Sequence, residues 1–293
     1  MKIFHNQDLK KWNSFKTGGE AEVIYLPESQ DELVELADSL YYDFYVIGSG
    51  TNLLVSDKGI KKPIICTKGL TCYKVEKGQI IAEAGVPSKT VAKIAFDLGM
   101  SKFEFLDGIP GTIGGAVYGN SGSGGESVGG LVIKATILSC RNSITTVNGE
   151  IIGFSRRCSD LQNRRAVLLS VVLYDSLFPN REKVEKEKIS KEMKRLRDIR
   201  CRTQPLDFPS AGTVFKYPVY IKEAYPEIKI RSKGDAIISE LNPGFILNRG
   251  NASSGDIYSL IQSIRKETIE IVGKDPGLEI QLLGDYENTV QLY

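Results

Sequence analysis

The chain has 293 residues, of which 41% are hydrophobic, and it carries 38 Lys and Arg against 36 Asp and Glu. A net charge of +2 creates no strong field for nucleic acid or an anionic membrane, so neither is predicted as a partner. The first residues contain no apolar signal core, and the longest apolar run has the length of a strand, which favours a cytoplasmic protein.

The histidine and cysteine content limits the kinds of catalytic and metal site that the chain can form. The only histidine, His5, lies in a polar N-terminal segment, so a Ser-His-Asp triad or a His-rich metal centre is not expected. The cysteines show no Cys-x-x-Cys spacing, which predicts reduced thiols and no metal site or disulfide framework. They are Cys66, Cys72, Cys140, Cys158 and Cys201. Acid and base work must therefore fall to hydroxyls, carboxylates, Lys and Arg.

The first part of the chain is typical of a β-α-β unit that ends in a glycine loop. A strand is predicted at 23–26, and Ser29 with Glu32 forms a capping box that opens a helix to about Leu40. A strand at 44–47 then leads into the loop Gly-Ser-Gly-Thr-Asn (48–52). Glycines let main-chain N–H groups approach a phosphate, although an ordinary tight turn is the alternative for this loop alone.

A second glycine-rich stretch follows a strand at 80–84 and a helix at 88–98 closed by Gly99. Residues 107–126 hold eight glycines in twenty positions, and apolar residues alternate with them. That apolar content argues against a flexible linker. Two backbone cradles in one chain predict that a large anionic cofactor, a dinucleotide, binds between them.

The second half contains two further strands and two helices. Strands are predicted at 131–139 and 166–174, and the composition changes near 178–180. A highly charged helix at 181–199 is interpreted as a solvated connector. A last helix has Ile257, Leu260, Ile261 and Ile264 on one face, starts near Ser253 or Ser254 and stops at Gly273, which is typical of core packing.

Four segments in this order resemble the UDP-N-acetylenolpyruvoylglucosamine reductase family. They are Ile-Gly-Ser-Gly-Thr-Asn-Leu-Leu (47–54), Gly-Ile-Pro-Gly-Thr-Ile-Gly-Gly-Ala-Val-Tyr (108–118), Gln-Pro-Leu-Asp-Phe-Pro-Ser-Ala-Gly-Thr-Val-Phe-Lys (204–216) and Leu-Glu-Ile-Gln-Leu-Leu-Gly (278–284). The resemblance covers essentially the whole chain. The short length resembles the compact subtype, which lacks an extra substrate-covering loop.

The resemblance implies an α+β fold. An FAD-binding module of the vanillyl-alcohol-oxidase type, with subdomains at 1–66 and 67–179, precedes an α/β substrate-binding domain at 180–293 with a C-terminal catalytic segment. It also implies that backbone amides hold noncovalent FAD without a cationic side chain. The expected cofactor-binding residues are Gly48, Ser49, Gly50, Thr51, Asn52, Gly108, Ile109, Pro110, Gly111, Thr112, Gly114, Gly115 and Asn120.

The chemistry implied by the resemblance is a two-step reduction of a UDP-sugar by a protein expected to be a monomer. NADPH reduces FAD, which then delivers a hydride to an enolpyruvyl group while a hydroxyl protonates the neighbouring carbon. The implied catalytic residues are Arg157, Thr213 and Glu279, with Arg156 open as the alternative arginine. The implied substrate-binding residues are Tyr118, Gln204, Lys216 and Tyr217.

The chain departs from the family pattern at four positions. Arg156, Thr213, Tyr217 and Asn242 stand where the family usually has Tyr, Ser, Asn and His. Threonine retains a hydroxyl of similar acidity, but its β-branch restricts χ1 and adds a methyl group. A different FAD-dependent oxidoreductase of the same fold and a catalytically weak flavin- or nucleotide-binding paralogue are the alternatives.

Overall fold

The computed structural model describes residues 1–139, 143–164, 166–174 and 186–286. Its first elements are β1 (Lys2–Asp8), β2 (Glu20–Leu26), α1 (Gln30–Ser39), β3 (Tyr45–Ile47), β4 (Leu53–Val55), β5 (Ile64–Cys66), β6 (Tyr73–Glu76), β7 (Gln79–Glu83), α2 (Ser88–Leu98), α3 (Ile113–Tyr118), β8 (Gly122–Ser123) and β9 (Glu126–Ser127). Those that follow are β10 (Val132–Ser139), β11 (Ser143–Asn148), β12 (Ala166–Leu173), α4 (Lys186–Thr203), α5 (Pro218–Ala224), β13 (Ser232–Lys233), β14 (Ala236–Ile238), β15 (Ile246–Asn248), α6 (Ser254–Val272) and β16 (Gln281–Leu283).

The first sheet has the strand order β1-β2-β5-β3. The β1 strand is antiparallel to β2, whereas β2, β5 and β3 run parallel, as a sheet with a helical crossover requires. The crossover helix α1 begins where the Ser29 side chain accepts a hydrogen bond from the Glu32 amide. The predicted β-α-β unit and its capping residue are confirmed.

The second sheet is antiparallel, with the order β11-β10-β12-β7-β6. One of its faces is covered by α2 and α3, and Ile80, Val91 and Val117 are fully buried between these elements. All three strands predicted here are confirmed to within a residue or two. The helix α2 ends at Gly99, whose φ of +71° places it in the left-handed region, as the predicted stop requires.

The C-terminal part consists of the antiparallel sheet β13-β14-β15, with α5 and α6 packed beside it. The helix α6 starts with a capping box between Ser253 and Asp256 and ends at Gly273, as predicted. Its apolar face is fully buried in a core that also takes Phe15 from the start of the chain. The last strand, β16, pairs in parallel with β4, and its Leu282 packs against this core.

The interpretation of α4 as a solvated connector is wrong. Ile189 is buried, and Met193 and Leu196 pack against the core of the second sheet. These positions are spaced i, i+4, i+7, so they form one apolar stripe that docks on α2 and on the short helix Glu104–Gly108. The predicted start at Arg181 and the boundary at 178–180 lie outside the described residues.

The described residues were also considered for membrane-spanning helices and for disulfides. No helix in them combines the length and apolar character needed to cross a bilayer. Cys66, Cys72, Cys158 and Cys201 are free thiols there, while Cys140 lies outside the described residues.

Candidate active site

A cleft of about 1050 Å³ runs between the two glycine loops, the C-terminal turns of α4 and the segment before β16. Most of the residues predicted from the sequence line it. They are Gly48, Ser49, Gly50, Thr51, Asn52, Gly108, Ile109, Pro110, Thr112, Gly114, Gly115, Tyr118, Arg157, Gln204, Thr213 and Glu279. A volume of this size exceeds the usual range for small-molecule pockets and suits an extended ligand.

The first glycine loop connects β3 to β4 and is fixed against the N-terminal segment. Gly50 has a φ of +68°, and a Cβ there would collide with the Trp12 carbonyl oxygen. The Ser14 amide donates to the Gly50 carbonyl at 3.1 Å. Glycine at this position is therefore required by the fold, and the neighbouring residues of the loop line the cleft.

The second glycine loop contains glycines of two kinds. Gly114 packs against β7, because a Cβ there would lie 2.8 Å from the Ala84 carbonyl oxygen. A Cβ on Gly111 would lie 2.7 Å from the Thr51 hydroxyl of the first loop. By contrast, a Cβ on Gly115 would meet only the Thr112 hydroxyl at 3.7 Å, and one on Gly108 would meet only the Arg200 side chain at 3.8 Å. Of these four glycines, only Gly108 and Gly115 leave room that a ligand could occupy.

Arg157, Glu279 and Thr213 meet at one end of the cleft. The Arg157 Nε lies 3.2 Å from Glu279 Oε1, and the Thr213 hydroxyl donates to Glu279 Oε2 at 3.0 Å. A second guanidinium nitrogen, Arg157 Nη2, donates to the Gly122 carbonyl at 2.7 Å. The three residues come from distant parts of the chain, so the fold assembles a cation, a carboxyl group and a hydroxyl at one point.

The Glu279 segment is held in place by hydrogen bonds to the backbone. The Glu279 amide donates to the Val214 carbonyl at 2.8 Å, which places the carboxyl beside Thr213. The Asn52 side chain donates to the Glu279 carbonyl at 3.1 Å, and the Gln281 amide donates to the Asn52 carbonyl at 2.9 Å. The first glycine loop therefore sets the position of the segment that contains Glu279.

The loop that carries Arg157 is docked on the end of α3. The Ser159 hydroxyl donates to the Tyr118 carbonyl at 2.7 Å, and the Asn120 side chain donates to the Ser155 carbonyl at 2.7 Å. The Asn120 oxygen also accepts from the Gly129 amide at 2.9 Å. Asn120 is buried and lies outside the cleft lining, so its described contacts position the arginine loop and do not reach the cleft.

The electrostatics of the cluster centre on Glu279, whose side chain is only 18% exposed. Burial raises the pKa of this carboxyl above its ordinary value, while the Arg157 charge and the Thr213 hydrogen bond pull the pKa down. Desolvation is the strongest of these influences, so the pKa stays raised. Arg156 and Lys216 also act on it, which places both cations near the cluster.

Lys216 and Tyr217 lie at the rim and not in the cleft lining. The Arg156 Nε donates to the Lys216 carbonyl at 3.1 Å, and its guanidinium lies 5.7 Å from the centre of the Tyr217 ring. Of the two adjacent arginines, Arg157 therefore faces Glu279, and Arg156 joins the two sides of the rim. Tyr118 does line the cleft, and burial raises its pKa to about 12.

The helix α4 contributes to the cleft, which was not predicted from the sequence. Its last turns contribute Leu196, Ile199, Arg200 and Thr203 to the lining, and the segment 41–46 contributes aromatic side chains at another part of the cleft. The apolar spacing of 189, 193 and 196 was the available signal, but the high charge of the helix favoured a solvated connector.

Known protein families match both the N-terminal and the C-terminal parts of the chain. An FAD-binding domain model matches residues 21–153, and the model of the UDP-N-acetylenolpyruvoylglucosamine reductase C-terminal domain matches residues 204–283. The UDP-N-acetylenolpyruvoylglucosamine reductase of Caldanaerobacter subterraneus is 37% identical over 97% of this chain and 94% of its own length. The chain belongs to the UDP-N-acetylenolpyruvoylglucosamine reductase family. The Bacillus subtilis member is 34% identical, with the same 97% and 94% coverage.

A solved structure of this family shows the same fold. The crystal structure of UDP-N-acetylenolpyruvylglucosamine reductase from Thermus caldophilus matches with a TM-score of 0.78 at 25% identity, covering 97% of this chain and 98% of that one. The resemblance and the α+β fold predicted from the sequence are thus confirmed, with FAD as the cofactor of the N-terminal module. Both glycine loops lie within the FAD-binding match, and Thr213 and Glu279 lie within the C-terminal match.

Proposed function

We propose that this protein reduces the enolpyruvyl group of UDP-N-acetylglucosamine enolpyruvate with electrons from NADPH, giving UDP-N-acetylmuramate for peptidoglycan synthesis. The observation that carries the proposal is the cluster of Arg157, Glu279 and Thr213 in the cleft formed by the two glycine loops. The family membership supports the choice of substrate.

The residues present fit FAD. The loop amides at 48–52 and 108–115 would hold its diphosphate, because Gly108 and Gly115 leave space at the cleft wall that a side chain would fill. Neither loop contains a His or Cys for covalent attachment, so the cofactor is noncovalent. Bound there, FAD would take two electrons from NADPH and supply the hydride for the reduction.

Arg157 provides the positive charge that such a reduction needs. Addition of a hydride to an enolpyruvyl group places negative charge on the carbon next to the substrate carboxylate, and a fixed cation stabilises that charge. Arg157 is only 27% exposed and is held by Glu279 and by the Gly122 carbonyl, so it is oriented before the substrate arrives. This preorganisation avoids the cost of reorienting a flexible side chain during reaction.

Thr213 and Glu279 provide the proton. The Thr213 hydroxyl lies at the cleft wall, where it can protonate the carbon beside the carboxylate. A carboxyl group with a raised pKa can hold a proton and return it to the Thr213 oxygen across their 3.0 Å contact. The UDP-sugar would be held by Tyr118 and Gln204 in the cleft, and by Lys216 and Tyr217 at the rim.

The test is turnover of the proposed substrate. Purified protein reconstituted with FAD should oxidise NADPH only when UDP-N-acetylglucosamine enolpyruvate is present, and mass spectrometry should detect a product heavier by two hydrogens. Flavin binding without enolpyruvate-dependent NADPH oxidation would contradict the proposal. Turnover of a sugar or alcohol with O₂ would favour a different oxidoreductase. Cytoplasmic location and a monomeric state stay predictions.

A further inference from the structure

Arg200 places a cation on the cleft wall beside the second glycine loop. It lies in the last turns of α4, is half-buried and lines the cleft. Its Cδ and Nη1 atoms lie 3.8 and 3.9 Å from the position that a Cβ on Gly108 would take. The guanidinium therefore sits beside one of the two glycines that leave room for a ligand.

The surroundings of Arg200 differ from those of its neighbours on the same helix. Arg197 forms an ion pair with Asp107 at 3.0 Å, and Arg195 pairs with Glu192. Within the described ranges, no carboxylate or hydrogen-bond acceptor contacts the Arg200 side chain. Burial also lowers the pKa of Arg200, and the opposing influence comes from the neighbouring Cys201 and not from a carboxylate. A partly desolvated charge without a counter-ion is costly, which indicates that an anion belongs next to it.

We propose that the Arg200 guanidinium binds phosphoryl oxygens of a diphosphate in the cleft. Its planar set of N–H donors matches two phosphate oxygens at once and adds a full positive charge, which backbone amides do not have. The cradle is then completed by a cation from α4. This differs from the expectation that backbone amides suffice to hold the diphosphate.

Three ligands of the proposed reaction contain a diphosphate: FAD, NADPH and the UDP-sugar. The position next to Gly108 favours FAD, whose diphosphate would lie on the 108–115 loop. The UDP-sugar arm of the inference rests on the proposed function, whereas the FAD arm does not. The experiment measures each ligand separately.

The first arm titrates the apoprotein with FAD and follows the quenching of flavin fluorescence. Arg200→Met removes the charge and keeps the length, and it should weaken FAD binding by about 10-fold or more, within the usual range for a charge-assisted contact. Arg200→Lys should weaken FAD binding by a smaller factor. The matched control is Arg197→Met, one turn earlier, which should bind FAD as the wild type does because Arg197 pairs with Asp107.

The second arm titrates the FAD-loaded protein with UDP and with UDP-N-acetylglucosamine enolpyruvate, using the change in flavin absorbance. Normal FAD affinity with about 10-fold weaker binding of both UDP compounds would assign Arg200 to the substrate diphosphate. Unchanged affinity of Arg200→Met for FAD, for both UDP compounds and for NADP⁺, titrated in the same way, would overturn the inference. Thermal unfolding of the apoproteins checks that the variants fold, and Arg200→Gln replaces Arg200→Met if the latter does not. Because the FAD arm requires no turnover, failure of the proposed function would leave its result intact.

Discussion

Arg157 makes two contacts that a lysine could not make together. Its Nε faces Glu279 and its Nη2 donates to the Gly122 carbonyl, while its backbone has a φ of +52°. Arg157→Lys keeps the charge but loses the planar fork. It should lower the rate of substrate reduction by about 10²-fold or more, on the scale of removing one oxyanion donor. Single-turnover kinetics with unchanged flavin content would measure this.

Arg156→Lys is the matched control. The Arg156 guanidinium contacts the Lys216 carbonyl and the Tyr217 ring at the rim, so its loss should act mainly on substrate affinity and leave the reduction rate within a few fold. If Arg156→Lys were the crippling change and Arg157→Lys the silent one, Arg156 would be the residue that faces the substrate.

Thr213 should act only in the second half of the reaction. Thr213→Val keeps the shape and removes the hydroxyl that donates to Glu279. Flavin reduction by NADPH should stay nearly unchanged, while reoxidation by the enolpyruvyl substrate should slow by about 10²-fold or more. Thr213→Ser should retain activity. Reoxidation of the Val variant at the wild-type rate would show that another group donates the proton.

The raised pKa of Glu279 makes a prediction about stability and pH. Since the folded carboxyl holds its proton to higher pH than the unfolded one, the contribution of Glu279 to the free energy of unfolding falls as pH rises from about 4.5 through the folded pKa. Glu279→Gln lacks this titration. Urea unfolding should therefore show the wild type losing stability relative to Glu279→Gln over that window. A difference that stays constant with pH would contradict the raised pKa.

Among the elements, the glycine loops contain two kinds of glycine. Some are required by packing within the fold, and others leave space at the cleft wall. Gly115→Ala adds a methyl in ordinary contact with Thr112, within α3, where alanine is favoured by about 1 kcal/mol. The apoprotein should keep or raise its melting temperature, while FAD binding weakens by 10-fold or more because the methyl group occupies the cleft wall. Titration with FAD measures this. Full FAD affinity in this variant would show that the cofactor does not approach Gly115.

Gly114→Ala is the paired control for this prediction. Its methyl would press on the Ala84 carbonyl, so the apoprotein itself should lose stability, by about 1 to 3 kcal/mol as in other overpacked sites. The loss of flavin would then follow from a weakened fold. Gly115, and not Gly111 or Gly114, is thus the position that tests phosphate approach.

Elements with local signals were predictable from the sequence. The capping residues Ser29 and Ser253 and the stops at Gly99 and Gly273 act within one helical turn, so the sequence contains the whole signal. The docking of α4 was not predictable from its own residues, because its stripe is short and its partners lie some ninety residues earlier. The two kinds of glycine likewise differ only in contacts made across the fold.

In the molecule as a whole, strand pairing and hydrogen bonds join the N-terminal and C-terminal regions at the cleft. The β16 strand pairs with β4, and Asn52 contacts Glu279 and Gln281 through its side chain and backbone. Asn248 also donates to the Phe15 carbonyl at 2.9 Å. The first glycine loop and the segment that contains Glu279 are therefore held in fixed register. The motifs predicted that these segments belong to one site, but the pairing of β16 with β4 came only from the structure.

Under the proposed function, one cleft serves both an NADPH-dependent reduction of FAD and the reduction of an enolpyruvyl nucleotide. An anaerobic stopped-flow experiment tests it most directly, by following flavin absorbance after mixing first with NADPH and then with UDP-N-acetylglucosamine enolpyruvate. We expect bleaching of the flavin absorbance in the first mix and complete recovery of the oxidised flavin in the second. Flavin that NADPH leaves oxidised, or that stays reduced after the enolpyruvyl nucleotide is added, would contradict it.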